Sequence, residues 1–405
     1  MNPEQEYRVP AAGEWRADLA IMASEMERLH SNLFHTVSRR RFLGAVKRLQ
    51  ARVPALDRHR IIVEIARIVA LVGDAHTTVY LRHYDPAVEF HFYPLRLWLA
   101  GDELFVRATD VAHEQLLGAR ISRIGTRSVR EAIKKVEPVI SAENYMRVRA
   151  WAPALLVVPE VLHALGISTA LTGVPFRLEQ DGTRSTVYFE PVPPGTEVPW
   201  IDAAGLAGGP TPLWLKDPTN AFWFEYLADS RTLYLQYNAV ADKPDETLEQ
   251  FFKRVFSFVD ANDVERFVID LRSNGGGDNR LNWPLIYGLI RSDKVNEKGR
   301  LFTIIGRETF SAAMNCANAL EKHTNTLFVG EPTGTSPNHY GDAERIVLPH
   351  SGLSVFASTL YWQDSLPYDD RRWIEPQIPA MLTREDYLAN RDPAMEAILR
   401  YKPGA

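Results

Sequence analysis

The sequence FVIDLRSNGGGD at residues 267–278 decides the fold of the C-terminal half of this chain. It begins with a short apolar run rich in β-branched and aromatic side chains that stops at a turn signal, which predicts a buried strand. Three successive glycines, 275–277, follow. Glycine tolerates φ above zero and lets another group approach the backbone N–H groups. We therefore expect a glycine loop that cradles a neighbouring group.

A second strand and a helix follow at residues 301–315. The sequence LFTII (301–305) predicts a strand, and ETFSAAMN (308–315) predicts a helix that begins near Ser311. A serine at a helix start can cap the helix or act as a nucleophile, and a helix start favours negative charge. We expect Ser311 and the glycine loop to meet as a nucleophile and an oxyanion cradle. The simpler interpretation, Ser311 as an N-cap alone, stays open but leaves the glycines unexplained.

Length, charge and cysteine content restrict the class of protein. A chain of 405 residues is expected to form two or three domains. The net charge of −5 does not favour a nucleic-acid partner or an anionic membrane surface. The single cysteine, Cys316, excludes an intrachain disulfide. The stretch Met1 to Arg16 has no signal-peptide pattern, and no run approaches 18 apolar residues, so the cytoplasm is the expected location.

Four regions with different patterns indicate a multi-domain α/β chain. Residues 1–82 carry apolar side chains at helical spacing, with Ser38 as a candidate cap of the second helix. Residues 83–190 are rich in predicted strands, with hairpins that turn at Gly101-Asp102 and at Asp181-Gly182 and a segment that resembles part of a PDZ module. Residues 191–220 are a connector rich in proline and glycine. Residues 221–405 alternate strands and helices, which predicts a largely parallel sheet covered by helices. A further hairpin is predicted at Ile346 to Trp362.

The chain offers every group that an activated serine needs. A serine hydroxyl requires a base, a group that orients the base, and donors for the oxyanion. The candidate donors are the backbone N–H groups of Gly276, Gly277 and Ala312. Of the 11 histidines, His76 and His339 lie in predicted loops and are the candidate bases, with His76 preferred. Since no zinc-ligand spacing and no dinucleotide or P-loop motif is present, no metal or organic cofactor is expected.

Five blocks of this sequence, in order, resemble the tail-specific (C-terminal processing) and tricorn-core serine peptidase family. The similarity extends over most of residues 14–400. The resemblance implies a crotonase- or ClpP-like βα core. The blocks are GDAHT (73–77), DLRSNGGG (270–277), FSAA (310–313), GEPTG (330–334) and WIEPQI (373–378).

The resemblance also implies how the catalytic roles are divided. One design in that family uses a Ser–Lys dyad, but no lysine occurs at residues 328–400. The tricorn-core design uses a serine, a histidine and a late carboxylate, which correspond here to Ser311, His76 and either Asp369 or Asp370. This chain departs from that pattern in two ways: an alanine precedes the histidine, and the late carboxylate is an aspartate instead of a glutamate. A direct contact between histidine and aspartate would accommodate both departures.

The sequence therefore predicts a serine peptidase that hydrolyses peptide bonds and takes a peptide or protein as its partner. Two alternatives stay open. Relatives of this fold include proteins that carry apolar ligands, so a catalytically silent binding protein is one of them. A small-molecule esterase with the same triad is the other. The oligomeric state is also open, and a homo-oligomer is among the options.

Overall fold

The computed structural model describes residues 9–82, 85–206 and 208–402. The chain divides into two compact units, and each combines helices with β-sheet, so the prediction of a multi-domain α/β chain is confirmed. Residues 1–8, which belong to the N-terminal stretch without a signal-peptide pattern, lie outside the described residues. The first unit is Met1–Glu143, Trp151–Ala203 and His339–Trp362, and the second is Asn144–Ala150, Ala204–Asn338 and Gln363–Ala405.

This division groups the chain differently from the four predicted regions, 1–82, 83–190, 191–220 and 221–405, which stay a prediction about domain organisation. The residues 339–362, predicted as part of the last region, count with the first unit. They form most of a long two-stranded hairpin.

The described residues before position 206 form six α-helices. The side chain of Ser38 accepts a hydrogen bond from the N–H of Arg41 and so caps the second helix, as predicted. Asp57 occupies the N-cap position of the third helix without a side-chain bond. The helices are α1 (Ala12–Leu29), α2 (Arg39–Arg52), α3 (Arg58–Ala70), α4 (Val129–Val136), α5 (Tyr145–Leu155) and α6 (Pro159–Ala164).

The first unit contains a seven-stranded antiparallel sheet. Its strands are β1 (Leu95–Ala100), β2 (Glu103–Thr109), β3 (Arg120–Ile124), β4 (Arg127–Ser128), β5 (Pro175–Gln180), β6 (Thr183–Tyr188) and β7 (Ile201–Asp202). The order is β1-β2-β3-β5-β6, with β4 on β3 and β7 on β2. Both predicted hairpins, β1-β2 and β5-β6, are confirmed, because alternating side chains and a turn dipeptide specify them locally.

The second unit is built on a six-stranded sheet in the order β15-β12-β11-β10-β9-β8. Its strands are β8 (Phe222–Leu227), β9 (Thr232–Tyr237), β10 (Arg266–Asp270), β11 (Leu301–Ile305), β12 (Leu327–Gly330) and, after the hairpin β13 (Asn338–Val347) and β14 (Ser354–Gln363), β15 (Ile378–Pro379). All neighbours are parallel except β8 and β9. The predicted, largely parallel sheet is confirmed. The predicted hairpin at Ile346 to Trp362 is longer than expected.

Helices cover both faces of this sheet, because alternate residues of the central strands point to opposite faces. The helices are α7 (Leu213–Lys216), α8 (Leu248–Ala261), α9 (Trp283–Ile290), α10 (Ala312–His323), α11 (Arg384–Leu388) and α12 (Pro393–Arg400). Phe267 and Ile269 pack in a core with α8, α9 and α10, whereas Val268 packs in a second core with α12. No helix in the described residues is both long and apolar enough to cross a bilayer.

The topology brings the glycine loop to the serine. Strands β10 and β11 are parallel neighbours, with Asp270 opposite Ile304. The chain leaves both strands at the same edge of the sheet, and α10 starts shortly after β11. The loop after β10 and the N-terminus of α10 are therefore adjacent, at the carboxyl edge where α/β sheets place their sites.

Candidate functional site

Ser311 is the N-cap residue of α10, but its hydroxyl does not cap the helix. The backbone has φ 55° and ψ −128°, a conformation rare for a residue with a side chain. Its carbonyl accepts the N–H groups of Met314 and Asn315 at 2.7 and 3.1 Å. Within the described residues, the half-buried hydroxyl makes no hydrogen bond. The structure therefore does not support the simpler interpretation, in which the side chain of Ser311 caps the helix.

The glycine loop lies directly against Ser311, and two of its three glycines leave no room for a side chain. A Cβ on Gly276, whose φ is +106°, would lie 2.6 Å from the Cβ of Ser311 and 2.9 Å from the nitrogen of Ala312. A Cβ on Gly277, whose φ is +143°, would lie 2.1 Å from the carbonyl oxygen of Val240. Both positions need positive φ and close backbone approach, which only glycine provides.

Asn274 holds this loop in shape. Its side-chain amide donates to the carbonyl of Tyr237 at 2.8 Å, and its Oδ1 accepts the N–H of Gly276 at 2.9 Å. The carbonyl of Asn274 accepts the N–H of Phe310 at 3.1 Å, which ties the loop to the residue before Ser311. Asn274 is therefore a structural residue of the site.

Two of the three predicted oxyanion donors have an open N–H. The N–H of Gly276 is engaged by Asn274. Neither Gly277 nor Ala312 donates its N–H to any acceptor in the described part of the chain. Together with the partial positive charge at the start of α10, these two N–H groups form an environment that favours an anionic oxygen beside Ser311.

His76 lies in the first unit, in the loop that follows α3. The helix ends at Ala70, and Gly73, whose φ is +81°, makes the turn that follows it. Asp74 then accepts the N–H groups of His76 and Thr77 on Oδ1 at 3.0 and 2.7 Å. The ring of His76 stacks on that of His339, with centroids 5.8 Å apart and planes 14° apart. The two histidines predicted as rival bases are thus neighbours.

The Asp74 carboxylate is buried, and its hydrogen bonds hold the loop that carries His76. His30 donates from Nε2 to Oδ2 at 2.8 Å, because its Nδ1 accepts the N–H of Asn32 at 2.9 Å and leaves the proton on Nε2. The hydroxyl of Ser358 donates to Oδ1 at 2.9 Å. Burial by itself would raise the pKa of Asp74, but the bonds and charge from His30 and the bonds from Thr77 outweigh it and lower that pKa.

Glu143 is a residue of this loop environment that no sequence motif marks. Its Oε1 accepts the N–H of Ala75 at 3.0 Å, directly before His76. One carboxylate oxygen of Glu143, one of Asp74 and one ring nitrogen of His76 all lie within 4.8 Å of one another. Three such ligands can hold a metal ion in principle, but the four hydrogen bonds to Asp74 compete for its oxygens.

The two late aspartates lie in the second unit and differ in environment. Asp369 accepts hydrogen bonds from Arg371 at 2.7 and 3.0 Å and from the hydroxyl of Ser365 at 2.5 Å. The Arg371 guanidinium lowers the pKa of Asp369 to about 2. Asp370 is exposed and makes no hydrogen bond within the described residues. The Arg371 guanidinium also pairs with Glu321 at 2.8 Å, so Asp369 belongs to an ion-pair network.

The predicted site residues therefore fall into two groups. Within the second unit, the structure brings together Ser311, Gly276, Gly277 and Ala312. Within the first unit, it brings together His76 and His339. The first group can bind an oxyanion beside a hydroxyl. The second offers an imidazole that stacks on a second imidazole, on a loop whose backbone is hydrogen-bonded to a buried carboxylate.

Comparison with solved structures identifies the fold. Mature CPAF in complex with lactacystin matches at a TM-score of 0.68 and 10% identity, covering 96% of this chain and 97% of that chain. Mature CPAF without that compound matches at a TM-score of 0.67 and 11% identity, covering 96% of each chain. A serine-to-alanine mutant of CPAF matches at 0.63 and 11%, also over 96% of each chain. The chain thus shares the CPAF fold. No protein-family model matches the sequence, and no curated protein matches it.

Proposed function

We propose that this chain is a serine peptidase with Ser311 as the nucleophile. The observation that carries the proposal is the local geometry of Ser311. Its hydroxyl caps no helix, its backbone has a strained positive φ, and two open N–H groups, those of Gly277 and Ala312, belong to the segments in contact with it. Strain of this kind costs about 1–3 kcal/mol and persists where the surrounding structure enforces it, frequently at active sites.

The proposed reaction is acyl transfer followed by hydrolysis. His76 takes the proton of the Ser311 hydroxyl while the oxygen attacks the scissile carbonyl, and the N–H groups of Gly277 and Ala312 stabilise the resulting oxyanion. His76 then gives its proton to the leaving amine, and the acyl group stays on Ser311. Water, deprotonated by the same imidazole, attacks the ester and releases the acid.

Two further points support this proposal. The sequence blocks resemble those of the tail-specific and tricorn-core peptidases, and the fold is shared with CPAF, which has been solved with lactacystin and as a serine-to-alanine mutant. That resemblance implies a peptide or protein substrate and a carboxylate, Asp369 or Asp370, that orients the histidine. Of these two, Asp369 already has Arg371 as its partner, which leaves Asp370 the better candidate of the pair.

The first test is covalent labelling with a fluorophosphonate, read by intact mass and peptide mapping. Wild type should take up one label on Ser311, and Ser311→Ala should take up none. His76→Ala should lose at least about 99% of the labelling rate, since a general base contributes about 10²–10⁴-fold. Ser257→Ala, on the exposed face of α8, is the matched control and should label like wild type. Lactacystin, the compound bound to CPAF, is a second probe of the same serine.

Each alternative has its own outcome. Labelling that survives His76→Ala but not His339→Asn would assign the base to His339. Labelling with turnover of small esters but of no peptide in a library would favour an esterase. A folded wild type that takes up no label would contradict the proposal and favour a silent binding protein for apolar ligands.

A further inference from the structure

The carboxylate that lies beside the ring of His76 in the first unit is Glu143, which is not one of the late aspartates. Its Oε1 is held by the N–H of Ala75 at 3.0 Å. The same carboxylate has an oxygen within 4.8 Å of a ring nitrogen of His76. Glu143 is half-buried, so it can stay ionised at a modest desolvation cost.

We propose that Glu143 is the positioning residue of His76, an inference that rests on the proposed peptidase function. A carboxylate beside an imidazole orients the ring, selects the tautomer whose distal nitrogen accepts a proton, and stabilises the imidazolium formed when the serine is deprotonated. The hydrogen bond from the N–H of Ala75 fixes the carboxylate of Glu143 relative to His76, because Ala75 directly precedes that histidine.

Asp74, the other carboxylate near His76, has a different task. Its Oδ1 accepts three hydrogen bonds and its Oδ2 accepts one from the buried His30. Two of those bonds come from backbone N–H groups, of His76 and of Thr77. Asp74 therefore stabilises the shape of the loop, whereas Glu143 binds the backbone N–H of Ala75, directly before His76.

The late aspartates are less suited to this role. The charge of Asp369 is balanced by Arg371, which keeps two of its nitrogens on that carboxylate. A carboxylate that already neutralises a guanidinium offers less stabilisation to a second cation. Asp370 is exposed to solvent, where its charge is screened by water.

The experiment compares Glu143→Gln with Glu143→Ala, using two readouts. Glutamine keeps an oxygen that accepts the N–H of Ala75 but removes the charge, whereas alanine removes both. A purely structural role therefore predicts that the glutamine variant behaves like wild type. The first readout is the NMR pH titration of histidines labelled at Cε1, with the His76 signal assigned from its absence in His76→Gln. The second is the rate of fluorophosphonate labelling of Ser311 across pH.

In Glu143→Gln, we expect the midpoint of the His76 titration to move to lower pH by about one unit, as follows from losing one opposite charge within 4.8 Å of a ring nitrogen. Asp74, two residues before His76 in the same loop, and His339, whose ring stacks on that of His76, are unchanged in this variant. Labelling at neutral pH should slow by at least about tenfold. Asp370→Asn tests the rival carboxylate in the same way. Glu249→Gln, which alters an exposed carboxylate in the first turn of α8, is the matched control and should leave both the midpoint and the labelling rate as in wild type.

The two readouts separate this inference from the proposed function. A His76 midpoint that is the same in wild type and Glu143→Gln would overturn the role of Glu143, whatever the labelling shows. A loss of labelling in Asp370→Asn with none in Glu143→Gln would overturn it as well and assign the role to Asp370. A shifted midpoint in a protein that takes up no label at all would support the pairing of Glu143 with His76 and overturn only the peptidase function.

Discussion

At the scale of the residue, the site depends on two backbone positions more than on any side chain. Ser311 has a positive φ, which costs free energy. Gly276 packs so closely against residues 310–312 that a side-chain carbon would not fit there. A non-glycine residue at 276 would have to displace Ser311, Ala312 or the carbonyl of Phe310, all within 3.0 Å of its Cβ. The same close contact thus fixes the backbone of both Ser311 and the glycine loop.

Replacing Gly276 by alanine should therefore reduce the reactivity of Ser311 in a protein that still folds. The added Cβ would lie 2.6 Å from the Cβ of Ser311, so the serine must move, and misplacement by about 1 Å can cost about 100-fold in rate. We expect fluorophosphonate labelling of Ser311 to fall by about that factor, with a stability loss of about 1–3 kcal/mol from the positive φ.

Gly275→Ala is the matched control for that variant. A Cβ at position 275 meets nothing within 4 Å, and the residue has no positive φ. It should label at a rate close to wild type and keep the same denaturant midpoint. Equal labelling of Gly276→Ala and Gly275→Ala would contradict the idea that close packing against Ser311 shapes the site.

At the scale of the element, the close approach of α8 and α9 depends on a glycine inside a helix. A Cβ on Gly288 would lie 1.9 Å from Cε2 and 2.3 Å from Cδ2 of Phe256. Glycine within a helix normally costs about 0.5–1 kcal/mol relative to alanine. At position 288 that cost is offset because the ring of Phe256 packs against the bare backbone.

Gly288→Ala should therefore destabilise the protein although alanine is the better helix former. Overpacking typically costs about 1–3 kcal/mol, which exceeds the gain in helix propensity. Denaturant unfolding should show a net loss of about 1–2 kcal/mol. Gly44→Ala in α2 is the matched control, since only the flexible end of Arg48 lies near its Cβ, at 3.3 Å. It should be neutral or stabilising, and the opposite ranking of the two variants would refute the packing argument.

At the scale of the whole molecule, a half-buried histidine pair makes stability depend on pH. Nη2 of Arg60 lies 3.2 Å from Nε2 of His163, which must accept, so Nδ1 of His163 donates to Nε2 of His59 at 2.8 Å. Both rings are neutral in this arrangement. Burial, followed by charge on His163, lowers the pKa of His59, while Asp57 and Glu160 oppose that shift.

The free energy of unfolding should consequently fall in mild acid. The folded protein binds a proton at His59 less readily than the unfolded chain, so this contribution to stability is complete above the unfolded pKa of about 6.5. It is lost as the pH falls through the folded value. Denaturant unfolding between about pH 7.5 and 5 should show a smaller decrease in His59→Gln than in wild type. The exposed His350 gives the control, His350→Gln, which should follow wild type; a His59→Gln variant with an unchanged slope would refute the prediction.

The sequence alone predicted what depends on local patterns. Strand and helix periodicity, turn dipeptides and capping residues are read within about ten residues, so the hairpins β1-β2 and β5-β6, the caps at Ser38 and Thr247, and the strand before the glycine loop were predictable. The meeting of this loop with Ser311 was predictable too, because neighbouring parallel strands end at one edge of a sheet.

Only the tertiary structure decided the rest, because it depends on side chains that are far apart in the chain. The side-chain amide of Asn274 donates to the carbonyl of Tyr237, 37 residues earlier in the chain, while its Oδ1 accepts the N–H of Gly276. Glu143 reaches the backbone before His76 across 68 residues of sequence. The hairpin β13-β14 starts at Asn338, before the predicted start, since pairing partners extend strands that local propensity leaves undecided. The sequence thus shows which residues can carry a reaction, whereas tertiary packing determines their hydrogen-bond partners.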